Sequence, residues 1–417
     1  MTLPMHATGR RPTRVLGATL VAAVAATFFA WVMTVGFATA EPFDDFRIHS
    51  ALTARLLAGG PFAVPHPLYH LLAAGLSLLP GLTVPWAGMV TAILAQAALA
   101  AVAFLALRAA TGARVGAAAL AALGLTVVAP LNVLASSPGE SYFGYLFPNV
   151  LHNPTVALLR PLALALYLAC AAVLAESLAP TRARTAALAT LTLACGLAKP
   201  SYLICLLPAL ALAWLFAGDR RHRRWRALAL GVVAPGALLT AVQAVFVLTT
   251  EEMEPGGIAF APLRVVFFHM GKDPGVVAAK LALSAVFPLA VAVCFARDAA
   301  RSPALRLAWL GFLAGLCYAY GFAETGPRAV HGNFLWSGQV SLLVLFAASA
   351  RLLLVLATRG ARRAAVAVCA GTLLLHVASG AAHAVRFAHE GPWYLRAAPS
   401  PADGDGSREA RPDRSGG

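Results

Sequence analysis

The first residues whose types could do chemistry are two adjacent carboxylates, in the run Glu41-Pro-Phe-Asp44-Asp45-Phe-Arg47-Ile-His49. A carboxylate held at a membrane surface can accept a proton from an incoming hydroxyl, which is general-base catalysis. Ile48, Leu52 and Leu56 recur behind it at helical spacing. Asp44 and Asp45 therefore equally suit a helix start, where carboxylates cap free N–H groups. Two adjacent acids also attract a divalent cation, although two oxygen donors alone do not make a site.

A second group lies late in the chain, in Phe322-Ala-Glu324-Thr-Gly-Pro-Arg328-Ala-Val-His331-Gly-Asn333-Phe-Leu-Trp336. Arg328 either pairs with Glu324 to close the loop or grips a phosphate, whose geometry a guanidinium matches while staying charged. Lys199, one of three lysines in the chain, stands at Lys199-Pro200 between two short apolar runs, where it either snorkels or meets an anion. Arg160 lies one to two turns inside an apolar run, so it must pair with a loop acid or hold a lipid phosphate. His66 and His70 are four apart and could share a metal, but no third ligand stands nearby. The stretch 135–154 carries Tyr142, Phe143, Tyr145 and Phe147 beside His152, as a sugar-stacking surface or as an interfacial belt.

The elements that must position these residues follow from composition. Hydrophobic residues make up 60% of the 417 and charged residues only 12%, with a mean hydropathy of +0.76. A soluble domain carries about 25% charge, so the chain reads as a polytopic membrane protein. The net charge of +15 does not indicate nucleic acid, because the basic residues are not gathered on one solvated face. The six cysteines fall in apolar runs without paired spacing and read as small buried hydrophobes.

The apolar run from Val15 to Ala38 exceeds the roughly 7–15 residues of a signal core and reads as a spanning anchor. Crossing the hydrocarbon takes about 20 residues of helix. Runs at about 15–38, 86–108, 115–134, 155–177, 227–249, 277–297, 305–323, 334–357 and 364–385 qualify, and 184–217 divides in two at Lys199-Pro200. The expectation is an all-α bundle of about eleven spans, filling 1–397, with a disordered tail at 398–417. The short run 67–79 is expected to lie along the membrane surface.

Arginines at 108, 114, 182, 184, 220–226, 297–306 and 359–363 fall in alternate connections, and most acids fall in the others. The positive-inside rule then puts the N-terminus in the cytoplasm and the connections 39–85, 135–154, 250–276 and 324–333 outside. Histidines 49, 66, 70, 152, 269 and 331 lie in those outer connections. Any chemistry is therefore expected on the extracytoplasmic face of the cell membrane.

The order of these features resembles bacterial membrane glycosyltransferases of the GT-C superfamily. The resemblance rests on one spanning helix, then Asp45-Phe46-Arg47-Ile48-His49, an Ala/Leu-rich helix ending in Gly59-Gly60, and Pro65-His66-Pro67-Leu68-Tyr69 opening a short apolar helix to Pro80-Gly81. It implies a polyprenyl-phosphate sugar as donor and a glycan or lipid acceptor, with membrane lipids as the surroundings, no nucleic acid and no cofactor beyond a divalent cation. Asp45, or Asp44 in its place, would be the base. Arg328, Lys199 and Arg160 would stabilise the departing phosphate, with His331, His49 and His152 on phosphate or sugar and Glu324 orienting Arg328. The rival expectations are a transporter or flippase, an outer-face polysaccharide polymerase or ligase, and a noncatalytic membrane assembly protein.

Overall fold

The computed structural model describes residues 11–39, 44–61, 64–111, 114–135, 137–176, 179–217, 223–249 and 257–393. The helices in order are α1 (Arg11–Thr39), α2 (Asp44–Leu57), α3 (Leu68–Ser77), α4 (Val84–Thr111), α5 (Val115–Val127) and α6 (Pro138–Phe143). They continue as α7 (Pro154–Leu174), α8 (Arg182–Ala198), α9 (Leu203–Leu215), α10 (Arg223–Leu228) and α11 (Ala234–Thr249), the last two joined by a π-helical turn. Strand β1 (Ile258–Phe260) precedes α12 (Arg264–Met270), α13 (Pro274–Ser284), α14 (Val286–Cys294), α15 (Ala296–Arg301) and α16 (Pro303–Gly321). Strand β2 (Phe322–Glu324), α17 (Leu335–Thr358) and α18 (Arg363–Glu390) follow. The tail 398–417 and Glu251, Glu252 and Glu254 lie outside the described residues.

Helix starts follow the expected grammar of a capping oxygen followed by proline. Asn153 caps α7, Asp273 caps α13 and Ser302 caps α16, each with proline in the next position. Around α17, the central helix, every side chain from Leu335 to Ala350 except Trp336 is buried. By contrast α1, α11 and α18 expose rows of apolar residues, among them Leu16, Leu20, Leu238, Val242, Leu374 and Leu375. Such faces suit lipid rather than water, and the protein is a helical membrane bundle.

Seven of the described helices are long and apolar enough to cross a membrane, and α13 with α14 makes an eighth if that pair, bent by 72°, is one span. This corrects the expected eleven. The remaining three runs fold as α5 (13 residues), α8 (17) and α9 (13). At 1.5 Å per residue they reach roughly 20–26 Å, short of a hydrocarbon core of about 30 Å. The division of 184–217 falls at Lys199, as the sequence suggests.

The run at 115–134 is cut short for a tertiary reason. After Val127 the chain leaves the helix and crosses α18, whose groups satisfy its backbone. The Ala129 N–H donates to the His376 carbonyl at 3.1 Å, His376 Nδ1 bonds the Ala129 carbonyl at 2.7 Å, and Ser379 Oγ donates to the Pro130 carbonyl at 2.6 Å. Gly380 permits this crossing, since a Cβ there would sit 1.5 Å from the Val127 carbonyl oxygen. Among the cysteines, none is paired; four are buried, Cys294 is half-buried, and Cys317 is exposed rather than buried as expected.

One end of the bundle, here called the head, gathers α2, α3, α6, α12 and the β1–β2 pair. The strands pair antiparallel with Ile258 opposite Glu324, joining the chain before α12 to the chain before α17. Helix α3 spans ten residues, about 15 Å, too short to cross, and packs Tyr69, His70, Ala73 and Ala74 inward.

Candidate functional site

Helix α2 docks with Phe46, His49 and Thr53 turned inward. The expected stripe of Ile48, Leu52 and Leu56 is not the buried face, and Ile48 is 52% exposed. The polar residues can turn in because they are matched there. Thr53 Oγ1 donates to the His49 carbonyl at 2.8 Å, and His49 Nδ1 lies 3.0 Å from His70 Nε2 in a shared hydrogen bond. Burial, with Lys199 nearby, holds both imidazoles neutral; the His70 pKa falls to about 4.

This docking presents Asp45 at the head with its side chain 29% exposed. Its Oδ2 accepts a hydrogen bond from Asn153 Nδ2 at 2.7 Å and lies 3.7 Å from His152 Nε2. Both contacts fall on Oδ2, so among the described residues Oδ1 has no hydrogen-bond partner. Asp45 therefore answers to the start of α7 and not to the backbone of its own helix. The Asp44 side chain lies outside the described residues. His152 is buried, and burial drives its pKa to about 4 despite the opposing pull of Asp45; it stands beside the carboxylate as a neutral imidazole.

Asn153 uses both halves of its amide. Its Oδ1 accepts from the Val156 N–H at 3.0 Å, as a helix cap, and from Thr155 Oγ1 at 2.7 Å. Thr155 Oγ1 in turn accepts from Lys199 Nζ at 3.3 Å. A continuous string of side chains thus runs from the Asp45 carboxylate through Asn153 and Thr155 to the Lys199 ammonium. Lys199 lies in the turn between α8 and α9, with Nζ 3.2 Å from the centre of the Trp336 ring. Trp336 Nε1 donates to the Tyr142 hydroxyl at 3.1 Å, which fixes the indole. Burial brings the Lys199 pKa down to about 7, while the charges of Asp45 and Glu324 pull it back up.

Glu324 ends β2, where pairing with β1 fixes its position. Its Oε2 accepts from Asn333 Nδ2, and its Oε1 stands 3.9 Å from Arg328 Nη1. Burial lifts its pKa above the usual carboxylate range, against the opposing effects of Asn333, Arg328, His331 and Lys199. His331 closes the loop through its N–H to the Arg328 carbonyl at 3.0 Å. Asp45, His152, Lys199, Glu324, Arg328 and His331 therefore share the head, with Lys199 in the field of both carboxylates.

Arg160 is placed differently. It is fully buried, and it donates from Nη1 to Asn149 Oδ1 at 2.7 Å and from Nη2 to the Val150 carbonyl at 2.8 Å. Asn149 Nδ2 then reaches the Leu125 and Val128 carbonyls, each at 3.0 Å. Arg160 is a frame residue that ties the loop before α7 to the end of α5, and its Nη groups are directed into that frame. The aromatics of 135–154 do not form an open stacking surface; Tyr142, Phe143, Tyr145 and Phe147 are at most 6% exposed.

Among the described residues, no group of three or more His, Cys, Asp or Glu converges as a metal site. Sequence reasoning missed Asn153, Thr155 and Trp336. Asn153-Pro154 carried a signal, but only that of a helix start. What the head offers chemically is a partly exposed carboxylate with one oxygen open and an amine poised between its two charge states, with an Arg–Glu pair close to that amine. No family model, curated protein or solved structure matches the chain.

Proposed function

We propose that the protein is an integral membrane glycosyltransferase that moves a sugar from a polyprenyl-phosphate donor to an envelope glycan or lipid acceptor, with Asp45 as general base. The observation that carries the reading is the open Oδ1 of Asp45, on a carboxylate tethered through Asn153 and Thr155 to Lys199. In the step, the acceptor oxygen bonds to the anomeric carbon as the bond from that carbon to the donor phosphate breaks. The hydroxyl proton passes to Asp45, and the electron pair leaves with the lipid phosphate. Lys199 and Arg328 stabilise the charge growing on that phosphate. This inverts the sugar.

The topology belongs to the same reading. In it α1 carries the chain across the membrane, from the N-terminus to α2 and α3 of the head. The N-terminus is then cytoplasmic and the head extracytoplasmic in the cell membrane. The arginines of the connections opposite the head, such as Arg108, Arg182, Arg226, Arg301 and Arg362, support that orientation.

The test is reconstitution in lipid vesicles with labelled polyprenyl-phosphate sugars and an envelope acceptor fraction. Wild type transfers label; Asp45→Asn, equally abundant in the membrane, loses at least about 100-fold of the rate, the usual worth of a positioned base. Full activity in both Asp45→Asn and Asp44→Asn refutes the reading. A lipid-moving transporter is the second reading, favoured by the 72° break between α13 and α14 with the Lys280–Glu140 ion pair beside it. It predicts lipid transfer between leaflets that Asp45→Asn leaves unchanged.

A further inference from the structure

Asn153 and Thr155 link Asp45 to Lys199 through side chains alone. Asn153 stands at the centre of four groups: the α7 backbone, Thr155, the Asp45 carboxylate and, through Thr155, the Lys199 ammonium. Its cap needs only Oδ1. Aspartate, serine or threonine would serve a helix start as well, and none of these would bring an N–H to Asp45. The Nδ2 contact is the additional property of asparagine here. Thr155 is fully buried, with its hydroxyl donating one way and accepting the other, so the direction of the string is fixed: Lys199 donates to Thr155, Thr155 to Asn153, and Asn153 to Asp45.

We propose that Asn153 and Thr155 are positioning residues that bind the Asp45 carboxylate and the Lys199 ammonium into one unit, so that base and cation keep a fixed separation during transfer. The proposal rests on the glycosyltransferase reading for its kinetic part but not for its electrostatic part. The charged and titratable groups facing Lys199 are Asp45, His49, His66, His70, His152 and Glu324. The four histidines are held neutral by burial, which leaves the two carboxylates to set the field at the amine.

Three substitutions separate positioning from mere folding. Asn153→Asp keeps the cap acceptor but sets a carboxylate against Asp45, and two carboxylates at one site drive one pKa strongly upward. Thr155→Val keeps the shape and removes the hydroxyl, and Thr155→Ser restores it. Two readouts apply to the full-length protein in lipid nanodiscs. The first is transfer kinetics across pH. Asn153→Asp is expected to lower kcat about 100-fold, the scale of a misplaced reacting group, with KM little changed and the acidic limb of the profile moved upward. Thr155→Val lowers kcat, and Thr155→Ser recovers most of it.

The second readout needs no substrate. Competitive acetylation across pH, read by mass spectrometry, follows Lys199 against exposed Lys272 as the internal reference. Relative to wild type, the pH midpoint of Lys199 reactivity falls in Asp45→Asn and Thr155→Val and rises in Asn153→Asp. If wild type transfers no sugar but the midpoints move in these directions, the glycosyltransferase reading fails and the tether stands. Midpoints unmoved in all three variants, or a wild-type Lys199 unreactive at every pH, overturn the tether whatever the activity.

Discussion

Arg160 offers the sharpest division between a frame and a ligand-binding role. Arg160→Ala would remove two charge-assisted hydrogen bonds, to Asn149 Oδ1 and to the Val150 carbonyl, and leave both acceptors buried without that donor. Each stranded buried acceptor costs about 1–3 kcal/mol, so the pair alone predicts a loss of roughly 2–6 kcal/mol. Freed from Arg160, Asn149 also loosens its grip on the Leu125 and Val128 carbonyls at the end of α5. Arg160→Lys should recover little, because one ammonium cannot reproduce two diverging guanidinium bonds. The assay is thermal unfolding of the purified protein in nanodiscs, beside transfer activity measured well below the unfolding range. Unfolding is expected several degrees lower in both variants, using a per-residue unfolding entropy of about 2 cal/mol/K, with the surviving folded fraction still active. A variant that keeps wild-type unfolding but loses donor affinity would refute the frame argument and return Arg160 to the phosphate.

Other perturbations test other parts of the head. Lys280→Met breaks the pair between the buried ammonium and the partly exposed Glu140 carboxylate, 2.9 Å apart, and should cost about 1–3 kcal/mol; the double variant with Glu140→Gln should recover part of this in the same unfolding assay. Burial raises the Glu324 pKa, so its contribution to stability is present at acid pH and lost as pH rises through the raised value. Glu324→Gln should flatten that fall, and an unfolding temperature whose pH dependence is identical to wild type would count against it. The His70 pKa is lowered to about 4, so the α2–α3 packing is at full strength above about pH 6.5 and weakens as pH falls towards 4. Limited proteolysis between α2 and α3 should accelerate over that window, and His70→Gln should weaken the acceleration, with the remainder belonging to His49.

Apolar run length was enough to foresee α1, α4, α7, α11, α16, α17 and α18, because a lipid-facing helix declares itself locally. It overstated α5, whose end depends on His376, Ser379 and Gly380 some 250 residues later. The polar residues that topology did not require were the useful clue at the head, where Asp45 and Glu324 both lie within reach of the Lys199 charge. Arg160 bonds the loop immediately before its own helix, which reads as open connection in sequence and folds as interior. The aromatics of 135–154 are buried for the same reason. Asn153 was legible only as a cap, since the second half of its amide finds a partner 108 residues away.

The crossing of α5 over α18 also constrains the order of assembly. Among the described residues, the carbonyls of Ala129 and Pro130 find their partners in His376 and Ser379 of α18, some 250 residues later. A nascent chain halted before that segment holds its early helices with backbone groups still seeking donors, in a solvent that supplies none. Biogenesis therefore cannot finish strictly from front to back: this early segment stays provisional until α18 has been made, and that helix acts as its latch.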